Sequence, residues 1–585
     1  MTGEMQKLRE ADERWVRDVY KGDKMPELTF RVVVTGVLLA MVMISSNIYM
    51  GMKTGWTEGG SIISAILAFA LLKTFRGGLS PLENNIAQTM GSAGGSLGNM
   101  VNVIPALILL GYPLTGLQIF IWVFCVSFLG IFFAVPLRRQ IVVIEKLRFP
   151  TGTACAETIQ AMHARGSEAM KKAKMLGITG GFSALFTWFR EGVPRFIPSQ
   201  TALPGAIGGF SMSQLTLGLS WSPMMFGAGF LIGPRVGVSL FIGSVATWAG
   251  FAPWLVNGGI IEEMTYRNIT HWTMWVGTAL MVAAALTSTA LKGKVVVRAF
   301  RSMRQASYSG ASNLEFPFRL WWAGLAAASV LVIVLMYVYF GVAPWLGLLA
   351  IILSFLLAMV SVRATGETDI NPVGAMGHIT QIVFGVLSPG NIPTNMLTAG
   401  VTSAGASEAA DMMQDLKAGY LLGATPRKQV YAQFIGVLAG AAVAAPIFIV
   451  VSRAYGIGTE SMPAPAAVVW EGLARLLAQG LSALPQYTLT AVIISALIGV
   501  GLAVVDLTEY KRYTPSAIGL GVAMIVPGYY CISMFLGSMA LLILRQTKPK
   551  WTETFYASIA SGGIAGEGIM GVLVAALIVF GVISH

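Results

Sequence analysis

The chain has 585 residues, of which 55% are hydrophobic and 11% are charged, with a formal net charge of +12. Soluble globular proteins carry roughly 25% charged residues, so this composition excludes an ordinary soluble domain. The basic residues cluster in short connectors between apolar runs, which is where the positive-inside rule places them on the cytoplasmic side. The positions of the basic residues therefore predict how the chain is oriented in the membrane, and the net positive charge does not indicate a nucleic-acid partner.

Residues 1–29 carry many charges of both signs and lack the short apolar core of a signal peptide. They are predicted to form a cytoplasmic amphipathic segment before the first span. The basic clusters at 138–174, 292–304 and 545–550 are assigned to the same side. We therefore expect a multi-pass protein of the cell (inner) membrane with a cytoplasmic N-terminus. Trp15 and Trp56 are interpreted as interfacial anchors.

Apolar runs recur along the chain at lengths close to the roughly 20 residues with which a helix crosses the hydrocarbon layer. Because backbone polar groups cannot be left bare in lipid, these runs are predicted to be helices. The clearest runs are residues 32–50, 117–137, 272–291, 320–340, 346–362, 430–451, 489–505 and 569–583. The sequence predicts an all-α polytopic integral membrane protein with about 14–16 transmembrane helices.

Some stretches are too polar or glycine-rich for a lipid-facing helix, yet too apolar for a loop. Irregular or polar backbone at membrane depth is tolerated where it is buried in protein or lines a cavity. These stretches are therefore candidates for re-entrant or broken helices. They are residues 83–102, 150–163, 367–420 and 558–568.

Short similarities that occur in the same order in both parts of the chain indicate duplication. The pairs are 92–96 with 403–407, 138–140 with 427–429, and 222–246 with 516–540, the last without gaps. Duplicated halves with broken segments at corresponding places are typical of secondary transporters, whose substrate site lies near the midplane. Whether the segments around Pro234 and Pro527 are single spans or pairs of half-helices stays open.

The duplication divides the chain into successive parts. The predicted parts are the N-terminal segment 1–29, a first transmembrane half at 30–291, a cytoplasmic connector at 292–319 and a second half at 320–585. Packing of these halves within one chain or across a homodimer is not decided by the sequence.

The strongest candidate site lies at 407–420, SEAADMMQDLKAGY. Glu408, Asp411 and Asp415 are spaced three and four apart, so a helix places them on one face. Ionisable groups inside a membrane are costly and usually functional, so this face is predicted to line a cavity, meet a cation or bind protons. A cytoplasmic cap is the alternative. Lys417 and Tyr420 follow directly and complete this candidate group.

A second candidate group lies at 367–381 and contains Asp369, Asn371, His378 and Gln381. The Asn371-Pro372 pair is predicted to start a helix, because proline has no amide proton. The positive end of that helix would suit an anionic group. His378 is either a proton carrier or a histidine hydrogen-bonded between helices.

A third candidate group consists of Glu83, Asn84, Asn85 and Gln88. Amide side chains both donate and accept hydrogen bonds, so they could bind a peptide backbone. An interhelical hydrogen-bond network is the alternative. The weaker acidic candidates are Glu157, Glu191, Asp506 and Glu567, of which Glu191 has Arg190 and Arg195 nearby and indicates a structural ion pair.

Signatures of enzymes and pumps are missing from the sequence. It contains no P-loop of the form GxxxxGK[ST], no HExxH and no clustered Cys/His ligands. The sequence therefore predicts no enzyme, no cofactor and no metal site. Without an ATPase module, transport would be driven by an ion gradient, and buried carboxylates are natural proton acceptors.

Four motifs stand out along the chain: DMMQDLKAGYLLGATPRKQ at 411–429, ENNIAQTMGSAGGS at 83–96, PTGTACAE at 150–157 and TDINP at 368–372. They resemble motifs of the oligopeptide transporter family, especially of the branch of yellow stripe-like metal-chelate carriers. Thr151 stands where serine is usual in the family. The similarity extends from about Asn47 to Leu544, and the lack of long hydrophilic loops is typical of a prokaryotic member.

The resemblance implies a proton-coupled importer with about sixteen helices, which arose by duplication of a repeat. Family substrates include small oligopeptides, glutathione-like peptides and metal complexes of siderophore-like chelators. The leading hypothesis is proton-coupled symport of short peptides by alternating access. Uptake of a metal chelate by the same mechanism is the nearest alternative, and a channel or a membrane-embedded enzyme is a remote one.

Overall fold

The computed structural model describes residues 14–57, 59–74, 79–164, 166–291 and 314–583, and within these ranges the regular structure is almost entirely helical. Two small antiparallel sheets, β1–β4 and β2–β3, lie in the connection between α7 and α8. The helices are α1 (Phe30–Thr54), α2 (Ser61–Thr74), α3 (Pro81–Ser96), α4 (Met100–Leu109), α5 (Gly116–Arg138), α6 (Pro150–Ala164), α7 (Gly166–Glu191), α8 (Pro223–Ser244), α9 (Ala252–Asn257), α10 (Tyr266–Leu291), α11 (Phe318–Phe340), α12 (Pro344–Thr368), α13 (Val373–Leu387), α14 (Ile392–Leu422), α15 (Pro426–Tyr455), α16 (Pro465–Gln479), α17 (Thr488–Val505), α18 (Ala517–Ala523), α19 (Gly528–Thr547) and α20 (Pro549–Val579). The strands are β1 (Gln200–Ala202), β2 (Ala206–Ile207), β3 (Phe210–Ser211) and β4 (Gly218–Ser220).

Eleven helical segments of the described chain are long and apolar enough to cross a membrane, and two shorter apolar helices accompany them. The prediction of an all-α polytopic membrane protein is confirmed. The expected total of about 14–16 crossings stays a prediction, because length and composition alone do not assign the short helices. The predicted connector at 292–319 lies almost wholly outside the described residues.

The polar segment 83–102 forms an interrupted helix, as expected. Helix α3 ends at Ser96, a 3-10 turn spans Leu97–Asn99, and α4 continues from Met100. Its start is fixed by a capping box in which Ser80 and Glu83 bond each other's backbone amides. Segment 150–163 lies in the 15-residue helix α6. At 1.5 Å per residue α6 rises about 22 Å, less than the roughly 30 Å of a hydrocarbon core.

The prediction of a broken helix at 558–568 is wrong, because these residues lie inside the continuous 31-residue helix α20. Its glycines allow close helix packing instead of a break. A Cβ at Gly566 would lie 2.2 Å from the carbonyl oxygen of Gly180, and one at Gly562 would lie 2.8 Å from that of Leu176. Small residues in membrane helices serve this purpose commonly.

The segments around Pro234 and Pro527 are both broken. Gly233 leaves the helical conformation inside α8, with φ 76°, and residues 524–527 separate α18 from α19. Gly233 and Pro527 occupy the same position of the gapless alignment of 222–246 with 516–540. Each segment therefore consists of two helical pieces.

The two broken segments also contact each other reciprocally. A Cβ at Gly243 would lie 2.9 Å from the carbonyl oxygen of Leu520, and one at Gly537 would lie 2.3 Å from that of Phe226. In the alignment Gly243 corresponds to Gly537 and Phe226 to Leu520, so each contact is the counterpart of the other. These contacts support the predicted duplication; the boundaries 30–291 and 320–585 stay predictions.

The described part of the N-terminal segment docks on the turn between α14 and α15. The indole nitrogen of Trp15 donates to the Tyr420 carbonyl at 2.9 Å, and the two rings stack with centroids 5.3 Å apart. The Lys21 amide donates to the carbonyl oxygen of Gly423 at 2.9 Å. The buried carboxylate of Glu27 accepts hydrogen bonds from the amide and hydroxyl of Thr425. Trp15 is therefore buried against protein, and its interpretation as an interfacial anchor is wrong.

Candidate functional site

A cavity of about 390 Å³, here called the central cavity, lies where several helices end or break. Its wall includes the turn after α1, the 3-10 turn after α3, the first residues of α13 and α16, and one side of α14. Its polar lining is supplied by Thr57, Ser96, Asn99, Asn102, Asn371, His378, Ser407 and Asp411. A pocket of this size and mixed polarity is suited to a small polar ligand.

Helix α14 presents its three carboxylates to different partners. Asp411 lines the central cavity and is half-buried. Glu408 is 2% exposed and accepts from the hydroxyl of Ser96. Asp415 is 1% exposed and accepts from Gln88 Nε2 at 2.6 Å. These groups lie along a 31-residue helix that is buried over most of its length, which disfavours an exposed cytoplasmic cap.

Hydrogen bonds connect the carboxylates of α14 to helices α2, α3 and α15. The hydroxyl of Ser61 on α2 donates to Asp415 Oδ1 at 3.1 Å. Gln433 Nε2 on α15 donates to Glu408 Oε1 at 3.0 Å. Asn99 Nδ2 donates to Ser407 Oγ at 2.6 Å, and Ser407 Oγ lies 3.4 Å from Asp411 Oδ2. The partners are hydroxyls and amides throughout.

No described Lys, Arg or His forms an ion pair with Glu408, Asp411 or Asp415, and the charges that act on them are other carboxylates. Burying a carboxylate is costly unless it is paired with a cation or neutralised by a proton. This face of α14 therefore has the chemistry to hold protons or to bind a cationic group of a ligand.

Two helices begin at the wall of the central cavity. Val373 and Gly374 open α13, Pro465 and Ala466 open α16, and all four residues line the cavity. The first amides of a helix have no partner within the helix and carry its positive dipole end. The prediction that a helix starts at Asn371-Pro372 is confirmed. The cavity thus combines a carboxylate, Asp411, with two helix N-termini that suit an anionic group.

The second candidate group is only partly in the cavity. Asn371 and His378 line it. Gln381 lies behind His378, whose Nδ1 is 2.9 Å from Gln381 Oε1, and Gln381 bonds Asn395 and the carbonyl oxygen of Trp470. Asp369 is exposed and outside the cavity lining. Its carboxylate accepts from the amide and hydroxyl of Thr151 at 3.0 and 2.7 Å, so it caps helix α6.

The third candidate group does not line the cavity, and the interhelical network accounts for two of its members. Asn85 Nδ2 donates to Gln88 Oε1, and Asn85 Oδ1 accepts from Gln429 Nε2, each at 3.1 Å. Gln88 in turn bonds Asp415. Asn84 is fully buried, and in the described part of the chain neither amide atom of its side chain has a hydrogen-bond partner. Asn85 and Gln88 support α14 rather than contact a ligand in the cavity.

Lys417 and Tyr420 also lie away from the cavity. Tyr420 is in the docking surface for Trp15. Lys417 is buried, and its Nζ lies 5.9 Å from the centre of the Tyr420 ring. Lys417 and Tyr420 come six and nine positions after Asp411, so the helical period places them on a different face of α14 from Asp411.

Several residues that line the cavity or contact the carboxylates of α14 were missed by the sequence reasoning. Ser96, Asn99 and Asn102 are spaced by three within the polar segment 83–102, and this period could have identified one helix face. Gln433 is a polar residue inside the apolar run 430–451, which is itself a signal. Trp56 was interpreted as an interfacial anchor but lines the cavity. Trp470 gave no signal.

A separate buried cluster, here called the ion network, consists of Lys53, Arg190, Glu191 and Glu567. Arg190 lies 2.6 Å from Glu191 and 2.8 Å from Glu567, and Lys53 lies 3.5 and 3.9 Å from the same carboxylates. The predicted ion pair of Glu191 with Arg190 is confirmed. Glu567 also accepts from the hydroxyl of Ser222 and the amide of Met224.

Comparison with known proteins identifies similar sequences over nearly the whole chain. A family model described as "OPT oligopeptide transporter protein" matches residues 27–578. The Saccharomyces cerevisiae protein named "Putative oligopeptide transporter YGL114W" is 25% identical, with 94% of this chain and 96% of that protein covered. A Haemophilus influenzae protein named "Putative oligopeptide transporter" is 27% identical, with coverage of 91% and 92%. The Arabidopsis thaliana protein named "Metal-nicotianamine transporter YSL2" is 24% identical, with coverage of 93% and 92%.

Proposed function

This chain belongs to the oligopeptide transporter family, and on that premise we propose that it is a proton-coupled symporter of short oligopeptides that bind in the central cavity. The observation that carries the proposal is the pairing, within one cavity, of Asp411 with the N-termini of α13 and α16. A peptide is a zwitterion, and this cavity offers a group of opposite sign for each of its ends.

The polar wall suits the peptide backbone between those ends. Asn99, Asn102 and Asn371 line the cavity, and an amide side chain can both donate to and accept from a peptide group. Trp56 and Trp470 supply apolar faces for side chains. Coupling is assigned to Glu408, Asp411 and Asp415, because they are carboxylates without a cationic partner in the described chain.

We propose that the N-terminus lies on the cytoplasmic side of a cell (inner) membrane. Lys21 and Lys24 precede the first span, and Arg427 and Lys428 follow the turn on which this segment docks. Basic residues that are concentrated at one end of the helices favour the cytoplasmic side. Alternating access would then expose the central cavity to each side in turn.

Uptake of a labelled mixed tetrapeptide pool into proteoliposomes, with a proton gradient imposed or abolished, tests the proposal. We expect gradient-dependent accumulation that is lost in Asp411→Asn and kept in Glu553→Gln, a carboxylate-to-amide control on an exposed pair with Arg545. Accumulation that ignores the gradient would exclude proton coupling.

A metal–chelate substrate is the second candidate, because the Arabidopsis thaliana relative is named a metal-nicotianamine transporter. The same vesicles distinguish the two when they are loaded with iron–chelator complexes. Transport of the chelate without transport of peptides would overturn the peptide proposal and retain the family assignment.

A further inference from the structure

Beside the central cavity lies a second, much smaller one, here called the small cavity, with a volume of about 20 Å³. Its polar wall consists of Ser96, Asn99, Ser127, Ser403 and Glu408. Ser96 and Asn99 also line the central cavity, so these two side chains form the boundary between the two spaces. A water molecule needs roughly 10–15 Å³ of such space, so the small cavity is large enough for one.

Ser403 supplies an independent reason to place a ligand there. Its side chain is 1% exposed, and its hydroxyl has no hydrogen-bond partner among the described residues. Leaving a buried hydroxyl unpaired is unfavourable, and ordered waters commonly satisfy such groups. Ser403 and Glu408 both line the small cavity from α14, so a water between them would have at least two polar partners.

The surroundings of Glu408 allow the carboxyl group either protonation state. The Ser96 hydroxyl donates to Glu408, and the carbonyl oxygen of Ala93 lies 2.9 Å from the same hydroxyl as a second acceptor. If Glu408 is protonated, the Ser96 oxygen can accept a hydrogen bond from it while the Ser96 hydroxyl donates to the carbonyl oxygen of Ala93. Gln433 donates to Glu408 through Nε2, while its Oε1 is buried without a partner and can accept after an amide rotation.

Within the described residues, the contacts of Glu408 with the surrounding helices are to neutral groups. Helix α3 contributes Ser96, α5 contributes Gly130 against the Glu408 Cβ, and α15 contributes Gln433. In the described part of the chain, the charged group that acts on Glu408 is Asp411, one turn further along the same helix. A proton on Glu408 is thus held by neutral partners and separated from the ligand-lining carboxylate by the boundary residues.

We propose that the small cavity is a water-binding site whose water bonds Ser403 and Glu408, and that Glu408 exchanges its proton with the central cavity through the hydroxyl of Ser96. The step is balanced as a relay. A hydronium ion in the central cavity gives a proton to Ser96 Oγ and becomes water, while the former O–H bond of Ser96 breaks and its proton forms the new O–H bond of the Glu408 carboxylic acid. Return of the proton reverses each transfer.

The role of this proton in transport rests on the proposed function. The water site itself can be tested on purified protein that is not transporting. Infrared difference spectra of the purified protein across a pH step should contain a protonated-carboxyl band that Glu408→Gln removes. Ser403→Ala should shift that band, because the bridging water loses one partner. Ser354→Ala, which removes a buried hydroxyl bonded to Thr402, is the matched control and should leave the band in place. A band unaffected by Ser403→Ala would overturn the water site.

The relay is tested by exchange and by flux. We expect Ser96→Ala to slow hydrogen–deuterium exchange of the Glu408 band and to reduce gradient-driven uptake about tenfold, the order expected for losing a hydrogen bond to a charged group. Ser96→Thr, which keeps the hydroxyl, should restore both. Unchanged exchange in Ser96→Ala would overturn the relay even where coupled uptake is normal. If the vesicles accumulate no peptide while the infrared band and its Ser403→Ala shift are observed, the proposed substrate is overturned and the water site is retained.

Discussion

Two groups of buried carboxylates in this molecule are built in opposite ways. Glu191 and Glu567 of the ion network lie within 2.8 Å of Arg190 and within 3.9 Å of Lys53. Glu408 and Asp415 on α14 are buried too but are bonded by serine hydroxyls and glutamine amides. A guanidinium or ammonium group only donates hydrogen bonds, whereas hydroxyls and amides donate or accept.

The partners of the ion network favour charged carboxylates, whereas the neutral partners on α14 accommodate either a charged or a protonated carboxyl group. Arg190 and the Met224 amide can only donate to Glu567, so among these partners the Ser222 hydroxyl alone could also accept a hydrogen bond from it. Glu408 can gain or lose a proton while Ser96 and Gln433 reverse their roles. Buried acids with cationic partners therefore contribute to the architecture here, and buried acids with neutral partners are suited to transport.

The largest effect on stability is expected from Arg190→Met. The change leaves two buried carboxylates with Lys53 as their remaining cation, and breaking such a group costs roughly 3–5 kcal/mol of unfolding free energy. Thermal or denaturant unfolding of the purified protein in detergent measures this. The double variant Arg190→Met with Glu567→Gln should recover part of the loss. An unfolding curve like that of the wild type would remove the distinction between the two groups.

A smaller loss is expected from Lys53→Met. Lys53 lies further from the carboxylates than Arg190 does, and its Nζ also lies 4.6 Å from the centre of the Tyr49 ring. Its removal should cost about 1–3 kcal/mol, the range for leaving a buried polar group without its partner. The same unfolding assay applies. A loss larger than that of Arg190→Met would show that Lys53, rather than Arg190, holds the network together.

Glu408→Gln should change stability by about 1 kcal/mol or less, since the amide fits between the hydroxyl of Ser96 and the amide of Gln433. Uptake driven by a proton gradient should nevertheless fall to the level of vesicles without protein. Unfolding and flux measured on one preparation test both statements. A variant that is strongly destabilised but still couples uptake to protons would contradict both.

The smallest effect is expected from Glu553→Gln. Glu553 is 63% exposed and pairs with Arg545 at 3.3 Å, and exposed pairs contribute roughly 0.2–1 kcal/mol. Both the unfolding free energy and the uptake rate should stay close to those of the wild type. This variant sets the baseline for replacing a carboxylate by an amide; a marked loss of uptake would locate a role for the exposed end of α20.

The membrane class, the helix start at Asn371-Pro372 and the position of Asp411 in a cavity wall could be predicted from sequence. Each depends on local information, such as run length, the missing amide proton of proline, or carboxylate spacing along one helix. Glu408 and Asp411 share that helix, yet only Asp411 lines the central cavity. The division between them depends on Ser96 and Gln433, which approach from α3 and α15 and are distant in the sequence.

The errors have the same physical origin. The glycines of 558–568 were interpreted as helix breakers, because their packing partners on α7 are invisible in the local sequence. Tyr420 was assigned to the site by its proximity to Asp415 along the chain, although its partner is Trp15. Gln381 and Gln88 were correctly identified as buried polar residues, but their bonds to Trp470 and Asp415 could be obtained only from the fold.

The stacking of Trp15 on Tyr420 gives the protein an intrinsic optical reporter. Tyr420 lies on the same helix as Glu408 and Asp411, two residues before that helix ends. Indole fluorescence responds to stacking, so sliding or rotation of α14 past the N-terminal segment would change the emission without any attached dye. The difference between the spectra of the wild type and of Trp15→Phe isolates this signal from that of the other tryptophans. The transport cycle could then be followed in time on otherwise unmodified protein.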